Sequence, residues 1–508
     1  MRLWVRVAGV TWWFAQRRIA RSQAGATTPR APLAALGVSI TALLATAALG
    51  PSAAVEPLPG PPPFGWHAHP PAALVTGLLA VVVIAGAYGV GGCLGALRRG
   101  WALDPKPLLI GSALVAIALG LLTPVGSSDP GSYAAYGRLA ASGHDPYVTP
   151  PDALTGAYAG LAEAPWRATT SVYGPIATGE QWLAAKLAGD GPHAPAHAVF
   201  LLGLVNAVAF VATGLLLHRL AAGQAGRRRA AVLFSANPLL LFEGVAGAHI
   251  DVLLTLFVVA AIGVLAHERG HGVLGALVAG VLGGAAAGLK ASAALAGVGL
   301  AWALRRQGRH WPRRLVALAV GAAAVLVPGY LIAGGHALDQ VRRASGFVSF
   351  ADPWRIVTHP LEWMLGHDAA RVLIRVAAWV AFAVFVLLLD RGVPGRREAA
   401  GVSTSARTVT AARGVLVLTL AWLLTAPYVL PWYAVAAFAP LALLPASGFD
   451  RLLLFWISVL GLAYLPGRQV AIPPWLRDTV DIWKSGFAPV LLFLAAVLAV
   501  MMSLRRRP

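Results

Sequence analysis

A stretch of mixed acidic, aromatic and basic residues stands out in this chain at positions 127–138. Asp129 lies near its start, directly after a long apolar run, so a helix leaving an apolar environment would hold its carboxylate at a fixed depth. A carboxylate held in this way could take a proton from a substrate hydroxyl, and Asp129 is therefore the candidate catalytic base. Asp129 could instead be the N-cap of an interfacial helix, with no catalytic role.

Aromatic and polar side chains follow Asp129 over the next part of the chain. Aromatic rings stack on the apolar faces of sugar rings, and neighbouring polar groups bind sugar hydroxyls. This composition predicts a sugar site whose candidate substrate-binding residues are Tyr133, Arg138, His144, Asp145, Tyr147, Trp166 and Tyr173. The same aromatic residues could instead form an anchoring belt at a membrane interface.

A second polar group interrupts apolar sequence further along the chain. Glu243, His249 and Asp251 could orient a substrate, because ionisable residues at membrane depth usually have a function. They could also hold a divalent metal, but this spacing is a weak metal signal, so no metal site or other cofactor is predicted. A short solvated turn would explain the same residues without any function.

Two further features could complete a site. Trp432 and Tyr433, in the proline-broken turn 427–433, could line a groove for a sugar or a lipid chain, or anchor the chain at an interface. Cations in apolar or outward-facing sequence could bind a phosphate group, because lysine acts as a point charge for phosphate. The candidates are Lys290, Arg342, Arg343 and Arg468. Snorkelling to the interface, or contact with anionic headgroups, would also account for them.

The composition indicates the kind of structure that must position these residues. The chain has 508 residues, of which 58% are hydrophobic and 12% charged, and its mean hydropathy is +0.71. A soluble domain carries about 25% charged residues. The sequence therefore predicts a polytopic membrane protein and excludes a disordered chain or an ordinary soluble enzyme. Cys93 is the single cysteine, which excludes an internal disulfide.

The formal net charge of +20 reflects the orientation of the chain in the membrane and does not indicate a nucleic-acid partner. The basic residues form short clusters between apolar runs, as expected when lysine and arginine stay on the cytoplasmic side. This predicts cytoplasmic basic segments at 1–32 and 505–508, with most acidic residues in outer loops at 126–195, 334–370 and 467–485. The first two outer loops are too long to be simple connections, so the working face is predicted to be extracytoplasmic.

Apolar runs predict an all-α bundle of about 12–14 membrane spans within a single domain at 33–504. The long first outer loop is expected to carry short interfacial helices. The strongest predicted spans are 33–50, 72–97, 108–125, 196–218, 314–333, 371–389, 414–430 and 486–504.

The order of the motifs resembles the multi-spanning glycosyltransferases of the C-type (GT-C) fold. It is most similar to the actinobacterial polyprenol-phosphate-mannose-dependent α-1,6-mannosyltransferases. The segments that carry the resemblance are 129–133, 143–147, 173–175, 237–239 with His249 and Asp251, Lys290, and 431–433. Each motif is short, and their order along nearly the whole chain is the specific feature.

The resemblance implies a plasma-membrane enzyme. Its donor would be mannose β-linked to a polyprenyl monophosphate, and its acceptor a lipid-anchored lipomannan chain. Asp129 would take the proton of the acceptor hydroxyl on the extracytoplasmic face, with inversion to an α-linkage, while the candidate cations stabilise the leaving phosphate. Pro130 follows Asp129 where many relatives have a second acid, which weakens any metal-bridged mechanism.

Two other functions remain open at this stage. An enzyme of the same architecture could use another polyprenyl-phosphate sugar, such as arabinofuranose or glucose, because no residue here specifies mannose. A transporter of polyprenyl-linked sugars, or a scaffold for envelope assembly, is the other possibility. A transporter predicts inverted repeats and acids in the middle of spans, whereas this sequence has no evident repeat and its acids gather in the outer loops.

Overall fold

The computed structural model describes residues 28–164, 166–267, 272–306, 310–339, 342, 346–395 and 403–505. The structure is 75% helical, and these ranges contain no β-strand. The predicted all-α polytopic bundle is confirmed. Most of the predicted basic segment 1–32, Arg343 and most of the tail 505–508 lie outside the described residues.

Helices account for nearly all of the predicted spans. In chain order they are α1 (Arg30–Leu49), α2 (Ala72–Arg98), α3 (Pro105–Leu121), α4 (Asp129–Ala141), α5 (Pro175–Ala188), α6 (Ala194–Leu220), α7 (Gly223–Ala246), α8 (Asp251–Ala266), α9 (Val273–Leu289), α10 (Ala294–Leu304), α11 (Trp311–Ala333), α12 (Arg355–Leu365), α13 (His367–Gly392), α14 (Thr404–Thr425), α15 (Val435–Ala442), α16 (Phe449–Ala463) and α17 (Pro474–Arg505).

Eight described helices are long and apolar enough to cross a membrane, and five shorter apolar helices accompany them. The apolar run at 230–245 belongs to the longer helix α7, because the basic residues before it continue the helix back to Gly223. Asn237 interrupts α7, where its side chain accepts a hydrogen bond from the backbone N–H of Leu239. The number of true spans stays a prediction.

Arginine–aspartate pairs gather at one end of the bundle, which we call the basic end. Asp450 pairs there with Arg98 and Arg229, and Asp390 pairs with Arg413. These residues stand at helix ends that the predicted topology assigns to the cytoplasm. The opposite end, which carries the segment 126–195 and which we call the loop end, is predicted to be extracytoplasmic.

The first long loop at the loop end is folded around α4 and α5. Gly137 of α4 lies so close to α5 that an added Cβ would be 2.1 Å from the carbonyl oxygen of Gln181, and only glycine allows this contact. Tyr133 and Tyr136 are buried as a result. The loop is therefore a packed layer that fixes the position of α4, as the prediction of short helices in it implied.

Candidate active site

Asp129 is the first residue of α4, and the preceding residue, Ser128, occupies the N-cap position. The side chain of Asp129 is 14% exposed. The hydroxyl of Tyr133, one helical turn later, donates to Oδ2 of Asp129 at 3.2 Å. The ring Nδ1 of His249 lies 3.4 Å from the same oxygen. The carboxylate is thus positioned by two weak contacts and keeps capacity to accept a further proton or hydrogen bond.

His249 reaches Asp129 from the turn between α7 and α8. Its ring stacks on Trp432, with ring centroids 3.6 Å apart and an interplanar angle of 10°. The amide of Asn206 in α6 donates to the backbone oxygen of His249. Ala248 takes a positive φ of 48°, which turns the chain so that His249 points inward. Elements far apart in sequence therefore fix this ring.

Asp251 and Lys290 form the second half of the cluster. Asp251 begins α8, Lys290 directly follows α9, and the ammonium Nζ lies 2.9 Å from each oxygen of the carboxylate. The same ammonium lies 3.3 Å from the centroid of the Tyr433 ring. Burial lowers the pKa of Lys290, and the neighbouring Asp251 opposes that shift. The lysine is held as a paired cation next to an aromatic face.

Tyr133 and Tyr173 link the two halves of the cluster. Their rings meet edge to face with centroids 5.0 Å apart. Burial, followed by the charge of Asp129 among other neighbours, raises the pKa of both tyrosines well above the usual value. Both hydroxyls therefore stay protonated at neutral pH, and Tyr133 acts as the hydrogen-bond donor to Asp129.

An apolar cleft opens beside this cluster. A cavity of about 30 Å³ lies between α8, α10, α14 and α15, with Asp251 and Tyr433 among its lining residues. Leu254 and Val258 continue the lining along α8, so the cleft runs from the charged groups into the part of the bundle that would lie in lipid. Its lining is mostly apolar.

The structure brings together eight of the predicted residues: Asp129, Tyr133, Tyr173, His249, Asp251, Lys290, Trp432 and Tyr433. Glu243 is buried in α7, and its carboxylate lies next to Gly461 of α16. Its predicted role in substrate binding stays a prediction.

The remaining predicted sugar-binding residues lie elsewhere in the first loop. Arg138 pairs with Asp190, and the hydroxyl of Tyr147 is hydrogen-bonded to that of Thr178 at 2.7 Å. A further group is more open to solvent: His144 and Asp145 are exposed, and Trp166 is half-buried in a 3-10 turn. Described contacts do not connect these residues to Asp129.

The other predicted phosphate-binding cations also lie apart from the cluster. Arg468 pairs with Glu163, and Nη1 of Arg468 donates to the backbone oxygen of Ser52 at 2.8 Å. Arg342 is exposed beside Asp339, and Arg343 lies outside the described residues. Lys290 is the cation that the structure places within the cluster.

One aromatic residue at the cluster was missed by sequence reasoning. Trp422 of α14 stacks on Tyr433 at 5.5 Å and lines the cleft. Trp422 lies inside an apolar run, where the sequence offers no signal that separates an inward-facing from a lipid-facing tryptophan.

The donor groups in the cluster form ion pairs rather than a metal cage. Within the ranges that the structure describes, no three His, Cys, Asp or Glu side chains are grouped so as to hold a metal ion. Asp129 and Asp251 each face a nitrogen side chain instead. The arrangement combines a partly exposed carboxylate, a paired lysine, aromatic faces and a small apolar cleft.

Comparison with known proteins gives one match. Residues 34–306 match the family model described as "Alpha-(1->6)-mannopyranosyltransferase, N-terminal domain". No curated protein and no solved structure matches the chain. The matched segment includes Asp129, His249, Asp251 and Lys290, so most of the charged cluster lies within it.

Proposed function

Because the chain belongs to the alpha-(1->6)-mannopyranosyltransferase family, we propose that it transfers mannose from a polyprenyl-phosphate donor to a lipid-anchored mannan chain. The observation that carries the proposal is the partly exposed Asp129 carboxylate, which lies close to the Lys290–Asp251 pair at the mouth of an apolar cleft. A lipid-linked donor needs a base, a phosphate site and room for its chain. In this proposal Asp129 is the base, Lys290 the phosphate site, and the apolar lining of the cleft the path for the chain.

The proposed reaction is a single displacement at the anomeric carbon. Asp129 takes the proton of the acceptor 6-hydroxyl as its oxygen bonds to C1 of mannose. The bond from C1 to the phosphate oxygen breaks, and its electron pair leaves with the polyprenyl phosphate. Attack on the face opposite the leaving group converts a β-linked donor into an α-linked product.

Tyr133 and His249 orient the base in this proposal. Both contact Oδ2 of Asp129, which leaves Oδ1 to receive the acceptor proton. The stack on Trp432 prevents His249 from turning away. The base therefore needs no rearrangement when the acceptor arrives, which is the kind of preorganisation that lowers a reaction barrier.

Lys290 is proposed to stabilise the leaving phosphate. Its ammonium lies beside the cleft residues Asp251 and Tyr433, so a phosphate carrying a prenyl chain in the cleft would meet it first. A phosphate monoester that leaves with additional negative charge gains from a nearby cation. Asp251 would then keep Lys290 protonated and correctly placed between turnovers.

The proposed location is the extracytoplasmic face of the plasma membrane, with both termini cytoplasmic. Support comes from the distribution of charge, because the arginine pairs of Asp450 and Asp390 lie at the basic end, away from Asp129. Cytoplasmic ends of membrane helices carry the excess of lysine and arginine.

Purified full-length protein tests the proposal directly. The expected result with labelled polyprenyl-phosphate mannose and a short α-1,6-mannan acceptor is one released polyprenyl phosphate per mannose added, with an α-1,6 bond in the product by NMR. Polyprenyl-phosphate arabinofuranose and polyprenyl-phosphate glucose serve as alternative donors in parallel reactions. Faster transfer from either alternative donor, or from a nucleotide-linked mannose, would overturn the proposed donor.

A further inference from the structure

A pair of cations meets one aromatic ring at the loop end, on elements that the proposed reaction does not use. The guanidinium carbon of Arg355, at the start of α12, lies 5.2 Å from the centroid of the Phe350 ring. The ammonium of Lys484, in α17, lies 5.0 Å from the same centroid and 4.9 Å from that of Tyr464. We propose that Arg355 and Lys484 bind the phosphate group of a membrane lipid.

The charges of these two cations are not neutralised by the protein. Among the described residues, no carboxylate lies within ion-pairing distance of either group, in contrast to Lys290 and Arg468. Asp481, one turn before Lys484, acts on it only at longer range. Asp352 is buried nearby, and burial raises the pKa of its carboxyl to about 8, so it is mostly neutral at pH 7.

The surroundings of the pair suit a lipid headgroup. Trp363 and Met364 of α12 are exposed, as are Trp475, Ile482 and Phe487 of α17. Exposed apolar and aromatic side chains at the end of a membrane bundle lie at the level of the headgroups. A phosphate bound between Arg355 and Lys484 would therefore have its acyl or prenyl chains against these side chains, in the bilayer.

The placement of the pair also needs an explanation, because cations are disfavoured on the outer side of a membrane protein. Lysine and arginine at this depth gain energy from anionic lipid phosphates. Arginine adds a planar set of donors that fits phosphate oxygens. The inference does not depend on the proposed transfer reaction, since a bulk phospholipid and a polyprenyl phosphate both present the same phosphate chemistry.

Lipid titration of the purified full-length protein in neutral detergent tests the inference. Phosphatidylglycerol and polyprenyl phosphate are titrated separately, and bound lipid is counted by native mass spectrometry. The double variant Arg355→Gln with Lys484→Gln is expected to lose about 10- to 30-fold in affinity for one lipid or both. The matched control is Arg477→Gln, which removes an exposed cation from the same helix and is expected to bind lipid as the wild type does.

The two titrations also separate the lipid sources. A loss confined to polyprenyl phosphate identifies a lipid substrate or product, and a loss for phosphatidylglycerol identifies a bulk headgroup. Should the double variant not fold, Lys484→Gln alone is compared with the charge-preserving Lys484→Arg, with a loss of about fivefold expected only for the former. Wild-type affinity for both lipids in a folded glutamine variant would overturn the inference.

Discussion

Asp450 at the basic end and Asp129 at the loop end are held in opposite ways. At the basic end, Asp450 is 1% exposed and accepts from Arg98 at 2.8 Å and from Arg229 at 2.5 Å. Its Oδ2 also accepts from the backbone N–H of Ser447. Arg229 donates in addition to the backbone oxygen of Leu441. Two permanent positive charges and short bonds leave this carboxylate no capacity for a substrate.

At the loop end, Asp129 is partly exposed and its contacts are longer. A tyrosine hydroxyl and an imidazole nitrogen approach the same oxygen at 3.2 and 3.4 Å, and none of the arginines in the described ranges pairs with it. Lys290, the lysine of the cluster, forms its ion pair with Asp251. This carboxylate therefore keeps lone pairs available for an incoming hydroxyl.

The difference teaches how to separate structural from catalytic acids in a chain with so few charges. Burial alone does not distinguish them, because Asp251 and Asp450 are both buried. The kind of partner does. Asp450 has arginine partners that hold helices together, as Glu163 does with Arg468 at the loop end. Asp129 has a tyrosine and a histidine as weaker partners, which on our proposal leaves it available for chemistry. The substitutions that follow should affect stability at one end and transfer at the other.

The largest expected effect is on stability at the basic end. Asp450→Asn leaves Arg229 buried without a counter-charge, and the free energy of unfolding should fall by about 3–5 kcal/mol. Chemical denaturation of the protein in detergent measures this. The control is Asp190→Asn, which breaks the exposed pair with Arg138 and should cost less than about 1 kcal/mol. If both variants lost equally little free energy of unfolding, the structural role of Asp450 would be contradicted.

Lys290 should combine both kinds of effect, and a double variant separates them. Lys290→Gln should lower the transfer rate about 100-fold and also destabilise the fold, because Asp251 loses its counter-charge. Adding Asp251→Asn removes the orphaned charge, so the unfolding midpoint should recover while transfer stays low. Recovery of transfer in the double variant would show that the pair is only structural.

His249 should affect transfer with little effect on stability. His249→Phe keeps a ring to stack on Trp432 but removes the nitrogen that faces Asp129. If that contact becomes a hydrogen bond to the charged base during transfer, its loss is worth about 1.5 kcal/mol and predicts a roughly tenfold lower kcat with an unchanged KM. Steady-state kinetics at saturating donor measure it. An unchanged kcat would show that Asp129 does not need this ring for its orientation.

Glu56 should give the smallest effect, visible as a change with pH. Its carboxylate lies behind α4, where an added Cβ on Gly131 would be 2.8 Å from both oxygens. Burial raises the pKa of Glu56 to about 8, opposed by Arg468 and assisted by Glu163. Above about pH 4.5 the unfolded chain has released the Glu56 proton, whereas the folded protein keeps it up to about pH 8. The free energy of unfolding therefore falls as the pH rises from about 4.5 through about 8.

Between pH 7 and pH 9 this loss amounts to roughly 1 kcal/mol. Melting curves of the wild type and Glu56→Gln over this pH range measure it, and the variant should lose less stability. Parallel curves for the two proteins would assign the pH dependence to other groups.

The sequence predicted the charged residues of the cluster better than the residues and partners around them. Asp129, Asp251 and Lys290 stand at helix ends that the apolar pattern locates, so an alternating topology brings them to the same end. Arg468 shows where this reasoning stops. Its partner, Glu163, lies 305 positions away, and the hydrogen bond between them depends on packing between the first loop and the turn before α17. The sequence pattern identifies such a residue as an outward cation and contains no information on its partner.

The aromatic residues show the same limit. Tyr133, one turn after Asp129, could be placed from helical spacing alone. Trp422 could not, because the direction it faces depends on how α14 packs against α10. The apolar cleft is likewise a property of four helices and has no sequence motif.

The transfer rate of Asp129→Asn tests the central claim most directly. The variant is measured beside Asp152→Asn, an exposed acid in the same loop, with polyprenyl-phosphate mannose and a mannan acceptor. We predict a loss of at least about 1,000-fold in kcat for Asp129→Asn, with the free energy of unfolding changed by less than about 1 kcal/mol, and no loss for the control. A folded Asp129→Asn protein that transfers mannose at close to the wild-type rate would contradict the assignment of Asp129 as the base.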